Sequence, residues 1–198
     1  MITTKIKKRI VGNGRGSIFA PSDFFDIGSR ASVDQALSRL ADQGLIRRLT
    51  RGLYDYPKHS PRFGALAPSG DDIARAVARK DNQVLQPSPA MAANQLGLST
   101  QVPSHPTYMT DGPTRTKKVG RQVIQFRNAS PKTLVGAGSK TGTVFQALRY
   151  LGKDRVDDQV IGKIARMLDT KDRAQLAKQS RHVPAWMHPV VQQIVTHA

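Results

Sequence analysis

The sequence predicts an α+β protein: a small helix-and-hairpin unit over residues 1–60, then a mixed domain over 69–198 with a small sheet and a helical C-terminal half. Three features predict it. A polar-faced amphipathic helix ends on a glycine and runs directly into an arginine-flanked hairpin. Turn-bounded extended segments follow between 107 and 126, and apolar residues recur at helical spacing from Thr141 onward. With 198 residues, 38% of them hydrophobic, the chain is long enough to bury a real core in one large domain or two small ones.

Taken in order, Ile2, Ile6 and Ile10 recur at i, i+4, i+8 with Lys5, Lys7, Lys8 and Arg9 between them, which predicts a basic amphipathic helix over 2–11. Gly12-Asn13-Gly14-Arg15-Gly16 breaks it, and Ser17-Ile18-Phe19 reads as a short extended piece. Ser22 is placed to cap a brief helix over 23–26, and after the Ile27-Gly28 turn Ser29 caps a second helix over 30–43. In that helix Val33, Ala36, Leu37 and Leu40 share one face; Ala31, Gln35 and Ser38 lie opposite, with Ser32, Asp34 and Arg39 on the flanks. Gly44 supplies the left-handed residue that ends it. Leu45-Ile46-Arg47-Arg48-Leu49 and Leu53-Tyr54-Asp55-Tyr56, around a three-residue loop Thr50-Arg51-Gly52, make a hairpin.

Residues 59–68, with two prolines and a glycine, read as a linker. Ser69-Gly70-Asp71-Asp72 opens a helix whose last turn holds Arg79-Lys80, complementing the helix dipole. Val84-Leu85 suggests a short buried strand and 90–96 a helix ended by Gly97. Strands are expected over 107–110, 115–119 and 122–126, the first two separated by Asp111-Gly112-Pro113, and helices over 144–151, 157–168, 172–179 and 185–197.

Charge narrows the partners. There are 31 Lys and Arg against 14 acids, all of them aspartate, for a net +17. Residues 1–62 carry 12 basic against 5 acidic, 63–130 carry 8 against 4, and 131–198 carry 11 against 5, so the excess is spread along the chain. A polyanion is the expected partner, nucleic acid before membrane, although charge alone does not separate DNA from RNA. No stretch approaches the roughly 18 consecutive apolar residues of a membrane span, and Met1 to Arg9 lacks a signal-peptide apolar segment. There are no cysteines, which excludes disulfides, thiolate zinc sites and thiol nucleophiles and fits a cytoplasmic, nucleoid-associated protein.

Helix, short helix, turn, capped helix and hairpin is the order of a winged helix-turn-helix, with 30–43 as recognition helix and 45–56 as wing. Short polar side chains near the start of such a helix reach base edges in the major groove. Ser29 and the helix N-terminus are placed to hold a phosphate, Arg30 to pair with guanine, Gln35 with adenine, and Ser32 stands beside them; Arg39 on the flank suits a phosphate. Arg47, Arg48 and Arg51 crowd the hairpin, an arrangement that a polyanion makes favourable, with Arg51 at the tip aimed at the minor groove. Arg15, in the glycine-rich turn, joins them as a basic residue for DNA. The plainer reading of the helix alone is an ordinary surface helix; the wing tips the balance.

Other motifs point away from catalysis. Gly12 to Gly16 follows a helix rather than a strand and so lacks the dinucleotide-binding context. Gly136-Ala137-Gly138-Ser139-Lys140-Thr141 has Ser139 before the lysine and Leu134 five residues earlier, where a phosphate loop needs glycines, and reads as a turn before a helix. The five histidines show no metal spacing, Asp71-Asp72 and Asp157-Asp158 read as helix starts, and no cofactor is implied; the chain reads as a non-enzyme. Tyr54 and Tyr56 are better read as packing against the helices than as base-stacking platforms, and Trp186 as a core anchor for the last helix.

Several segments resemble a known family. Leu37-Ser38-Arg39-Leu40, Gly44-Leu45-Ile46-Arg47-Arg48 and Arg51-Gly52-Leu53-Tyr54-Asp55-Tyr56-Pro57 are similar to the winged helix of AbiEi-type antitoxins of bacterial type IV toxin–antitoxin (abortive infection) systems. The similarity continues in Ala92-Ala93-Asn94-Gln95-Leu96-Gly97-Leu98-Ser99-Thr100-Gln101-Val102-Pro103, Tyr108-Met109-Thr110-Asp111-Gly112, Leu148-Arg149-Tyr150-Leu151-Gly152 and Pro184-Ala185-Trp186-Met187. The resemblance implies a phage-defence antitoxin that represses its own operon by binding promoter repeats, with a C-terminal domain that counters a nucleotidyltransferase-like toxin, whether or not by direct contact. The other readings are an RNA- or ribosome-associated basic protein, or a solitary transcriptional regulator without a toxin.

Overall fold

The computed structural model describes residues 1–197 and is mixed α+β, 47% helix and 16% strand. It folds as two compact units: Met1–Asn82 with Lys118–Val123, and Gln83–Lys117 with the chain from Ile124 onward. No helix among the described residues is long and apolar enough to cross a membrane.

The first unit runs α1 (Ile2–Gly12), β1 (Ile18–Phe19), a 3-10 turn (Pro21–Phe24), α2 (Arg30–Asp42), β2 (Arg47–Thr50), β3 (Leu53–Asp55), β4 (His59–Ser60), β5 (Gly64–Ala65) and α3 (Gly70–Lys80). The apolar spacing does what it predicts: Ile6 and Ile10 of α1 and Val33, Leu37 and Leu40 of α2 are fully buried. They form one core with Phe19, Phe24, Tyr54 and Tyr56, so both tyrosines pack inward. Each such side chain contributes roughly 2 kcal/mol of burial. β3 is the central strand of a three-stranded antiparallel sheet ordered β1-β3-β2, with Asp55 opposite both Ile18 and Arg47.

Four details differ from the sequence reading. The short helix begins at Pro21, not Asp23, and its cap is the Asp23 carboxylate, which accepts the Ala20 N–H at 2.8 Å. Proline presets the first turn, and the Asp23 side chain rather than Ser22 reaches back to the free N–H. The β2–β3 register slips by one between Arg48 and Thr50, so Thr50 opposes Leu53 and the loop is only Arg51-Gly52. Residues 59–68 are not a plain linker: β4 and β5 pair as a second hairpin, closed by Gly64 at φ +67°. Finally, α3 belongs to the first unit, because Arg79 reaches the Asp23 carboxylate at 3.0 Å and the Ile18 carbonyl at 2.8 Å.

The second unit runs β6 (Gln86–Pro87), α4 (Pro89–Gln95), β7 (Thr107–Thr110), β8 (Arg115–Val119), β9 (Gln122–Asn128), α5 (Lys140–Leu151), a 3-10 turn (Lys153–Arg155), α6 (Asp158–Met167), α7 (Thr170–Ser180) and α8 (Met187–Thr196). Residues 118–123, the end of β8 and the start of β9 with the turn joining them, group with the first unit. The sheet order is β6-β7-β9-β8, and β7 runs parallel to β9. Asp111-Gly112-Pro113 therefore joins two strands that are not neighbours in the sheet; Asn128 holds it by donating to the Gly112 carbonyl at 2.9 Å. The strand expected at Val84-Leu85 lies instead at Gln86–Pro87, with Val84 exposed, because it is Gln86 that reaches inward and donates to the Gly142 carbonyl at 2.8 Å. Val144, Phe145, Leu148, Ile161, Ile164, Leu176, Met187, Val191 and Ile194 form the helical core, with Trp186 packed against it.

The glycine-rich segment before α5 has a packing explanation. Gly136 sits at φ +72°, and a Cβ on Gly142 would fall on the Gly136 carbonyl. Ser139 caps α5 by accepting the Gly142 N–H. The glycines bring two backbones together. Gly142→Ala therefore destabilises this unit by about 2 kcal/mol, while Gly12→Ala, at a position with open space around it, changes stability little. Urea unfolding followed by the fluorescence of Trp186, the single tryptophan, measures the first, and an unchanged midpoint contradicts it.

Candidate nucleic-acid interface

The surface of interest is built on the first unit. α2 forms because Ser29, in extended conformation, caps it: its hydroxyl accepts the Ser32 N–H at 3.4 Å and faces the Ser32 hydroxyl at 3.0 Å. The N–H groups of Arg30 and Ala31 have no partner within the helix. Three cations hold the surrounding frame. Arg9 of α1 grips both oxygens of Asp26 at 2.7 and 2.6 Å and the Asp23 carbonyl at 3.0 Å, fixing the turn ahead of α2. This pairing keeps the Asp26 carboxyl below the usual carboxylate range. Arg79 grips Asp23 from α3, and Arg47 grips Asp55.

The predicted site residues fall into two groups. Ser29, Arg30, Gln35, Arg39, Arg48 and Arg51 are exposed, and Ser32 is half-buried. Arg30 pairs loosely with Asp34 across one helical turn, at 3.8 Å. Gln35, Ser38 and Arg39 lie on the outer side of α2, away from the buried Val33-Ala36-Leu37-Leu40 face. Arg51 stands at the tip of the β2–β3 loop beside Gly52, and the Lys80 ammonium lies within 3.1 Å of where a Gly52 Cβ would be. Ser38, Asp42, Arg47, Arg48, His59 and Ala65 line one open groove between α2, the sheet and the second hairpin.

Two predicted contacts are committed elsewhere. Arg47 Nε and Nη2 donate to the Asp55 carboxylate at 3.1 and 2.7 Å, and Nη2 also reaches the Leu66 carbonyl at 2.8 Å. The hydrogen bonds to Asp55 hold the Arg47 guanidinium above its ordinary pKa. Arg15 donates to the Pro57 carbonyl at 3.0 Å, meets His59 Nδ1 at 3.0 Å and lies 4.7 Å over the Tyr56 ring. Both arginines lock the first hairpin in place.

The second hairpin adds residues that sequence reasoning missed. Its tip carries Arg62 stacked at 5.4 Å on Phe63, which is 72% exposed, with Lys58 at its base. The signal was there in cations flanking an aromatic, but two prolines masked the strands. Lys80 beside the β2–β3 loop was invisible because it arrives from α3. No group of three metal-ligating side chains occurs among the described residues.

The division of labour is measurable. Asp55 is 1% exposed, so removing its partner leaves a buried charge, and Arg47→Ala destabilises the first unit by about 3 kcal/mol. Arg48→Ala, on the surface, changes stability by less than about 0.5 kcal/mol. Urea titration followed by circular dichroism compares them; equal effects refute the assignment.

No curated protein matches the chain. One family model does, over residues 5–176, and so the chain belongs to DUF6088, a family of unknown function.

Proposed function

We propose that the first unit is a winged helix-turn-helix that binds duplex DNA, and that the protein regulates transcription through it. The observation that carries this reading is an exposed arginine set, Arg39, Arg48 and Arg51, with no acid paired to it among the described residues, beside the polar face of a serine-capped helix. The element order and the β1-β3-β2 sheet agree with it. α2 enters the major groove, where Gln35 and Ser32 meet base edges and Arg30 exchanges Asp34 for a guanine edge. The α2 N-terminus and Arg39 take phosphates, Arg48 takes the backbone beside the groove, and Arg51 with Lys80 follows the wing into the minor groove. Arg15 and Arg47 position the wing rather than touch DNA. Asp42, exposed in the groove, repels phosphate there and sets one edge of the footprint.

The resemblance to AbiEi-type antitoxins extends the proposal: the protein represses its own operon, and the second unit counters a nucleotidyltransferase-like toxin encoded beside it. A second reading, RNA binding, is favoured by the cationic excess that continues beyond residue 62.

Fluorescence anisotropy against the DNA upstream of the gene tests the first reading. Arg51→Ala weakens all duplexes alike and lowers the magnitude of the log-affinity versus log-salt slope by about one. Gln35→Ala instead changes which site is preferred, at a cost of about 1–3 kcal/mol for the favoured one. Structured RNA outcompeting the upstream duplex at physiological salt, or affinity indifferent to salt and to both substitutions, rejects it. For the antitoxin role, co-expression with the adjacent gene restores growth that the adjacent gene alone arrests; growth arrest that persists rejects that part.

A further inference from the structure

The second unit contains a feature that DNA binding leaves unused. Its cavity of about 590 Å³ lies within the usual range for small-molecule sites. Arg149, Arg181, His182 and Lys132 line it, and no acid does; Val135 and Val183 supply apolar wall. Arg149 is the unusual member. Its Nη2 donates to the Lys132 carbonyl at 3.0 Å, its Nε is buried without any acceptor, and no carboxylate is paired with it among the described residues. Burial without a counter-ion pulls its guanidinium below the ordinary arginine value. Arg181 stands at the exposed rim with its Nε donating to His182 Nε2 at 3.0 Å, which aims the pair.

A half-buried cation without an acid partner is costly. Asp55 neutralises the half-buried Arg47, and Arg15 and Arg173 direct their guanidinium nitrogens to carbonyl oxygens, whereas the Arg149 Nε meets no acceptor. The missing charge at Arg149 is the charge a ligand would bring. A guanidinium offers a planar fork that matches carboxylate or phosphate oxygens. The concave shape and the valine walls favour a compact molecule over a nucleic-acid backbone, which would leave the apolar wall uncovered.

We propose that this cavity is a binding site for a small organic anion, a single phosphate or carboxylate head held by Arg149 and Arg181 with an apolar body against Val135 and Val183. The proposal stands independently of the DNA reading.

Phenyl phosphate, inorganic phosphate and phenol, titrated separately into the full chain, test it, with the valine methyl NMR signals as readout. Phenyl phosphate binds saturably and shifts the Val135 and Val183 methyls. Inorganic phosphate, lacking the body, binds about tenfold more weakly, and phenol, lacking the head, does not saturate. Arg149→Gln and Arg181→Gln each weaken phenyl phosphate about tenfold, whereas Arg166→Gln, an exposed cation that does not line the cavity, leaves it unchanged. Arg181 is on the surface, so its variant keeps the test valid even where Arg149→Gln fails to fold. Equal affinity for inorganic phosphate, indifference to Arg181→Gln, or no saturable binding overturns the proposal. The same holds if a short single-stranded oligonucleotide displaces phenyl phosphate while leaving the valine methyls at their free positions.

Discussion

Asp55 is a carboxylate at the centre of a three-stranded sheet, 1% exposed, with β1 on one side and β2 on the other. A charge there is tolerable only when it is fully paired. Arg47 supplies the pairing from β2 and extends the same guanidinium to the Leu66 carbonyl just past the second hairpin. One interaction thus sets the register of the β2–β3 hairpin and ties down the chain that leaves it. Arg15 works in parallel, gripping the Pro57 carbonyl where β3 ends and covering Tyr56. The placement of the two hairpins against α2 depends on this bracing.

Scarcity of acids governs the rest. With 14 aspartates against 31 cations, most cations cannot be neutralised internally. The aspartates that are used sit at joints: Asp26 and Asp23 lock the turn before α2 through Arg9 and Arg79, and Asp172 joins α7 to α5 through Lys140 at 2.8 Å. Among the described residues, what is left over at Arg39 on α2, at Arg48 and Arg51 of the β2–β3 hairpin and around the second-unit cavity is positive charge with no acid paired to it. That residue of charge is the physical basis for reading both surfaces as binding sites.

The helices were legible because short polar side chains mark their starts. Ser29, Ser69 and Asp157 each accept a backbone N–H in the first turn, and the apolar periodicity behind each cap places its buried face. Two-residue strands carry no such periodicity. His59–Ser60 and Gly64–Ala65 are defined by cross-strand hydrogen bonding alone, so prolines and a glycine made them look like a linker. The parallel pairing of β7 with β9 was equally hidden, because turn residues between β7 and β8 say nothing about which distant strand fills the space alongside.

The sequence by itself determined the helix faces, the serine cap of α2, the arginine-rich hairpin and the net positive charge, since each follows from residue spacing or composition and needs no distant partner. Only the tertiary structure decided which arginines are available. Arg47 and Arg48 are neighbours of the same type, yet one faces a buried carboxylate and the other faces solvent; alternation along a strand separates them, and which side is buried depends on what packs there. The same holds for Lys80 and Arg149, whose surroundings come from elements distant in sequence.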